Sequence, residues 1–230
     1  MNNLFIIGNG FDLAHELKTS YLDFMQNLIE RCIKKESNII KGISIPTVSV
    51  GRKFSLSQIN TIVQSQPSCT TSLLIRRLLQ NMALNNWCDI EHKYFDLLSS
   101  VKNTSNTDYR DIKTLNSDFE QLKKELISYL STQQCKNALE SYKNIFGKLA
   151  NKNSLILNFN YTDTIRLYEK EISEAQIINI HGKLGDINNP IIFGYAANDE
   201  ENNILIDKND NEYLRNIKNL LTIELVMNPD

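Results

Sequence analysis

The chain has 230 residues, with 25 Lys and Arg against 27 Asp and Glu and a formal net charge of −2, so it can bury a sizeable core and has no charge excess that would steer it to nucleic acid or an anionic membrane. No apolar run approaches the ~20 residues of a membrane span, and Met1-Asn2-Asn3 leads straight into an apolar run rather than a signal region. Four scattered cysteines and three histidines supply neither a disulfide framework nor a zinc ligand set, so the expectation is a soluble cytoplasmic protein with no metal and no membrane partner.

Leu4-Phe5-Ile6-Ile7 reads as a buried β-strand that breaks into Gly8-Asn9-Gly10-Phe11-Asp12. A strand ending in Gly-x-Gly is how α/β proteins bring backbone N–H groups close to a phosphate, because a side chain there would hold the ligand away. Gly8, Asn9, Gly10, Phe11 and Asp12 are therefore candidate nucleotide-binding residues, although a plain tight turn after a buried strand gives the same pattern. The third glycine of a dehydrogenase fingerprint is replaced by Leu13 and no Walker lysine follows, which excludes both of those phosphate loops. A carboxylate beside phosphate is repelled, so Asp12 is expected on a ribose hydroxyl or as a helix cap.

Ser20 with Asp23 resembles a helix-start box, and Tyr21, Phe24, Met25, Leu28, Ile29, Cys32 and Ile33 form a core-facing stripe. From about 37 to 70 the chain is rich in Ser, Asn, Gln and Thr and includes Pro46 and Pro67, which predicts a loop with a short hairpin around Ile43 to Val50. Residues 71–150 read as helices, with stripes at Leu74, Leu78 and Met82, at Trp87, Ile90, Tyr94, Leu97 and Val101, and at Ile112, Leu115, Phe119, Leu122, Leu126 and Tyr129. Leu139, Tyr142, Ile145 and Leu149 extend the pattern. Such a seam fits helices packed within the chain or a homo-oligomer formed through this insertion.

The β rhythm returns at Leu155 to Phe159, followed by a helix from about Thr162 to Glu171 and strands at Gln176 to His181 and Pro190 to Tyr195. Strand, helix, strand makes a βαβ unit, so the sheet is expected to be parallel and to include the first strand. Glu212 to Val226, apolar at Leu214, Ile217, Leu220, Leu221 and Leu225, reads as a closing helix. The expected architecture is one α/β domain over 1–230, a Rossmann-like parallel sheet interrupted by a mostly helical insertion at 37–150.

Open α/β sheets place ligands at the carboxyl ends of their strands, where Asn158-Phe159-Asn160-Tyr161-Thr162-Asp163-Thr164 and Ile180-His181-Gly182 stand. Burying an unpaired amide costs roughly 1 to 3 kcal/mol, so Asn158 and Asn160 need partners. Those partners are a ligand, or else the following turn, with Thr162 or Asp163 capping the helix. His181 at a strand tip can take or give a proton near neutral pH, although a lone histidine is often structural. His15 and His92 stand without an accompanying motif and read as structural.

Ile6-Ile7-Gly8-Asn9-Gly10-Phe11-Asp12-Leu13-Ala14-His15, then Thr19-Ser20-Tyr21, Trp87 with Asp89 and Glu91, the block from Asn158 to Thr164, and His181-Gly182 with Phe193-Gly194 together resemble the AbiH family of bacteriophage abortive-infection proteins. The likeness spans residues 4 to 195 and departs at Glu16, where many members carry glycine; members also commonly run longer than this chain. More distantly, the three motifs resemble the sirtuin-type NAD fold. That resemblance implies NAD as substrate or ligand, with Asn160 and His181 catalysing cleavage of the nicotinamide glycosidic bond. It also implies cofactor-binding roles for Gly8 to Asp12, Asn158, Thr162, Asp163, Gly182 and Gly194. Thr162 stands where the sirtuin-like pattern often has Asp, with Asp163 one residue late, and Trp87, Asp89 and Glu91 receive no catalytic role. The implied function is anti-phage defence by binding, and consuming, NAD or a related nucleotide; the alternative is a nucleotide-sensing interaction module without turnover. A nuclease-type toxin is disfavoured by the balanced charge and the lack of clustered carboxylates.

Overall fold

The structure, a computed structural model, describes residues 2–43, 55–65, 70–80, 93–98, 100 and 112–192. Most of the hairpin expected around Ile43 to Val50, together with Met82, Trp87, Asp89, Glu91, His92, Gly194 and the closing helix, lies outside these residues. In chain order the elements are β1 Asn3–Ile7, α1 Asn9–Ala14, α2 Tyr21–Ile33, β2 Ile40–Lys41, α3 Leu56–Ser65, β3 Thr70–Thr71, α4 Leu73–Gln80, α5 Ile112–Leu130, α6 Glu140–Leu149, β4 Ser154–Asn158, a 3₁₀ turn Thr164–Tyr168 and β5 Gln176–Asn179. Residues 93–98 are also helical. The chain is mixed α/β and divides into two compact units, one of Met1–Ser20 with Ile127–Ile192 and one taking in Tyr21–Leu126. Helix α2 thus goes with the second unit and α6 with the first, whereas the sequence placed the insertion at 37–150.

The first unit is built on a three-stranded sheet in the order β1-β4-β5, parallel throughout, with Ile7 opposite Asn158 and Asn158 opposite Asn179. The first strand does join the later ones, as the βαβ pattern predicts. The link from β4 to β5, however, contains a 3₁₀ turn at Thr164–Tyr168 in place of the α-helix expected over Thr162 to Glu171. The Thr162 hydroxyl is committed to Asp12 rather than to helix-capping N–H groups, and β-branched Thr164 and Ile165 lose rotamer freedom in an α-helix. Residues 190–192, the described part of the strand expected over Pro190 to Tyr195, are not strand.

One face of this sheet carries the core: Ile7, Phe11, Phe146, Ile156, Ile165, Tyr168 and Ile172, flanked by Phe5, Ala138, Tyr142 and Ala150. The i, i+4 row Ala138, Tyr142, Phe146, Ala150 is the inward face of α6, and the expected stripe is out of phase with it. Ile145 and Leu149 are 44% and 49% exposed. The Phe146 ring meets Phe5 and Tyr168 at 5.5 and 5.2 Å, and the larger aromatic area sets the helix rotation. Leu4 and Ile6, expected in a buried strand, are also exposed.

Helix α1 ends in a Schellman turn, with Glu16 N–H on Leu13 O and Leu17 N–H on Asp12 O. This puts Glu16 at φ +61°, a left-handed conformation that only glycine adopts without cost. Glu16→Gly is expected to raise stability by about 1 kcal/mol, read as a higher urea midpoint with an unchanged slope; an unchanged or lower midpoint would show that the Glu16 side chain offsets its backbone strain.

In the second unit the α2 stripe is buried from Tyr21 to Cys32 as predicted. Region 37–70 is not all loop. Ser55 Oγ accepts the Gln58 N–H at 3.3 Å while Ser55 N–H donates to Gln58 Oε1 at 2.9 Å, a capping box that starts α3. The ends of this region pair as the short antiparallel ribbon β2–β3. The predicted seam at Leu115, Phe119, Leu122, Leu126 and Tyr129 is buried within the chain, with Phe119 stacked on Tyr94 at 4.1 Å. Among the described residues no helix is long and apolar enough to cross a membrane.

Candidate functional site

Because β1, β4 and β5 are parallel and in register at Ile7, Asn158 and Asn179, the three sequence motifs leave the sheet at the same end. Hydrogen bonds from Phe159 N–H to Ile7 O (2.8 Å) and from Ile180 N–H to Asn158 O (2.9 Å) carry the ladder one step further. The His181 ring lies 5.8 Å from Phe159 and 5.5 Å from Tyr161, the two residues flanking Asn160.

Gly8 and Gly10 are exposed, and a Cβ built on either meets nothing within 4 Å. The fold does not need glycine at these positions, and the space before them is open, as close backbone approach to a ligand requires. The N–H groups of Asn9 and Gly10 lie in the first turn of α1, where intrahelical acceptors do not exist. Asn9 Oδ1 is occupied by the Thr19 hydroxyl at 2.7 Å. Phe11 is not available to a ligand: its N–H donates to Gly8 O at 2.8 Å and its ring is in the core against Tyr142, Phe146 and Tyr168. Apolar burial decides that position. Asp12 caps no helix end. It is 1% exposed, and both its carboxylate oxygens lie within hydrogen-bond distance of Thr162 Oγ1, at 2.8 and 2.7 Å. Burial pushes this carboxyl above its ordinary range, against the hydrogen bonds from Thr162 and Thr164.

Asn158 is satisfied internally, with Nδ2 donating to Asn179 Oδ1 at 2.9 Å and Oδ1 accepting the Asn160 N–H at 3.1 Å. Asn160 is different. It is 6% exposed and its Nδ2 has no hydrogen-bond partner; the same holds for His181 Nδ1. Burial lowers the His181 pKa below 6.5, and a hydrogen bond with the Ile192 backbone opposes this. A backbone group that favours the protonated ring must be a carbonyl, so Nε2 carries the proton toward Ile192. Nδ1 is then left as a bare lone pair in neutral imidazole.

Thr162 is buried between Asp12 and Thr164 Oγ1, the latter at 3.0 Å. Asp163 is exposed and pairs with Arg166 at 3.0 Å and Lys183 at 3.6 Å, with no helix-capping bond. Gly182 sits at φ +71° under Pro190, so the backbone path accounts for it without a ligand. Two residues that the sequence left unassigned take part: Thr164 extends the Thr162 bond, and His15 joins Phe11 O (2.7 Å) to the Tyr168 hydroxyl (2.6 Å). The Thr-x-Thr and Phe-x-x-x-His spacings were visible, but their partners are about 150 residues away. Among the described residues no cluster of His, Cys, Asp and Glu could hold a metal.

A family model described as bacteriophage abortive infection AbiH matches residues 4–225. No curated protein and no solved structure matches the chain.

Proposed function

The chain belongs to the AbiH family of bacteriophage abortive infection proteins, and from that premise we propose that it acts in the cytoplasm by binding NAD, or a related nucleotide, and hydrolysing its nicotinamide glycosidic bond. The observation that carries this reading is the pair of unpartnered buried atoms, Asn160 Nδ2 and His181 Nδ1, at the strand ends that also bear an open glycine turn. An unpaired buried polar group costs about 1–3 kcal/mol, and a ligand that pairs with it recovers that cost. The β1-β4-β5 order supports a Rossmann-like, sirtuin-like nucleotide fold, whose ligands lie outside the carboxyl ends of the strands.

In this reading Gly8 and Gly10 leave room for the pyrophosphate, and Asn160 Nδ2 donates to an oxygen of the nicotinamide-side ribose. His181 Nδ1 takes the proton of a water whose oxygen attacks the ribose carbon. The carbon–nitrogen bond breaks with its electron pair going to the nicotinamide ring. A base must be unprotonated to act, and burial lowers the His181 pKa below 6.5, so activity is expected to hold at neutral pH and to fall on the acid side of that value.

Incubation with NAD and measurement of free nicotinamide tests the reading. Release by the wild type should fall about a hundredfold or more in both Asn160→Ala and His181→Ala, while both variants keep the wild-type urea midpoint or exceed it. Saturable NAD binding without release would replace the enzyme by a nucleotide-sensing module, and neither binding nor release would end both readings.

A further inference from the structure

We propose that Asp12 is a positioning residue: its carboxylate, held by the Thr162 hydroxyl, clasps the loop that carries Asn160 to the helix behind the glycine turn. The clasp deepens the nucleotide reading and rests on it for its purpose, though not for its existence.

Asp12 lies four residues after Gly8 in α1, and Thr162 lies two residues after Asn160, so one hydrogen-bonded contact joins two of the three strand-end segments. Thr162 Oγ1 stands 2.8 and 2.7 Å from the two carboxylate oxygens, and Thr164 Oγ1 stands 3.0 Å from Thr162 Oγ1. All three side chains are buried. Stability alone does not explain a carboxylate here. The adjacent core residues Ile7, Phe11 and Ile165 are apolar, and buried charged groups commonly contribute less stability than apolar residues of similar volume. A hydroxyl–carboxylate bond supplies direction, which apolar packing does not. The loop needs direction because Asn160 is anchored otherwise only through its own N–H on Asn158 Oδ1, while its Nδ2 stays unpaired.

The test uses Thr162→Val, which removes the hydroxyl at nearly constant shape, Thr162→Ser, which keeps it, Asp12→Asn, and the Asp12→Asn/Thr162→Val double variant. Three readouts are taken on the full chain: ADP-ribose affinity by calorimetry, the urea midpoint, and amide hydrogen exchange over residues 159–164 by mass spectrometry. Thr162→Val is expected to speed exchange over 159–164 and to weaken ADP-ribose binding about tenfold or more. Thr162→Ser should restore both, and the double variant should be no worse than either single one. A lowered urea midpoint with wild-type exchange and affinity would reduce the clasp to ordinary packing and overturn the proposal, as would additive effects in the double variant. If the wild type binds no ADP-ribose the nucleotide reading falls, and the exchange arm still decides the clasp: faster exchange over 159–164 that Thr162→Ser reverses supports it, and unchanged exchange sinks it.

Discussion

Gly182→Ala destabilises the protein by roughly 2–5 kcal/mol, the sum of about 1–2 for a left-handed alanine and about 1–3 for the overlap it creates. Gly182 has φ +71°, and a Cβ there would stand 2.0 Å from Pro190 O, 2.7 Å from Pro190 C and 3.0 Å from Asn189 O. These are backbone atoms, so no rotamer change relieves the contact. The segment must move, and with it the bonds from Lys183 N–H to Asn189 O (2.8 Å) and from Ile192 N–H to His181 O (3.0 Å). Gly185→Ala is the matched control: its φ is +77° but nothing lies within 4 Å of the new Cβ, so only the backbone part, about 1–2 kcal/mol, is expected. Urea denaturation of the two variants measures the difference. Equal losses would mean that the Pro190 overlap relaxes without cost.

Tyr168→Ala is expected to cost about 3–5 kcal/mol and Tyr168→Phe about 1–3 kcal/mol. The side chain is 0% exposed and packs on Phe11 at 5.6 Å and Phe146 at 5.2 Å. Its hydroxyl accepts the Leu139 N–H at 2.8 Å and meets His15 Nε2 at 2.6 Å. His15 Nδ1 faces the Phe11 carbonyl, which only accepts, so that nitrogen carries a proton and the Tyr168 O–H is free to donate to Nε2. Removing the hydroxyl strands a backbone donor and a ring nitrogen together, while removing the ring also leaves a cavity between α6 and the sheet. Equilibrium unfolding separates the two contributions, and a Tyr168→Phe cost under about 0.5 kcal/mol would show that water replaces both bonds.

The β-strands at Leu4 to Ile7, Leu155 to Asn158 and Gln176 to Asn179, their parallel sense, and the stripes of α2, α4 and α5 were legible because period and run length are local properties of the chain. The rotation of α6 was not. Tyr142 serves either phase, and the choice between Ile145 and Phe146 depends on Phe5 and Tyr168, which are distant in sequence. Helix α3 was missed for another reason: a Ser55–Gln58 capping box was present, but the polar composition around it reads as loop.

The candidate site divides in the same way. From the sequence all its glycines look alike, as places where backbone approaches something. The structure separates Gly8 and Gly10, which face open space, from Gly182, whose hydrogen the chain itself requires. Of the two asparagines, Asn158 is closed by Asn179 and by the Asn160 N–H, and Asn160 alone is left with an unpaired buried donor.

By itself the sequence determined the family, the parallel strands and the motifs that end them, since each of these depends on residue type and spacing along the chain. Only the tertiary structure decided which side chains at those strand ends are already paired and which are not. Hydrogen-bond partners such as Asp12 with Thr162 and His15 with Tyr168 are about 150 residues apart, and burial, which makes an unpaired donor costly, exists only after the chain has folded.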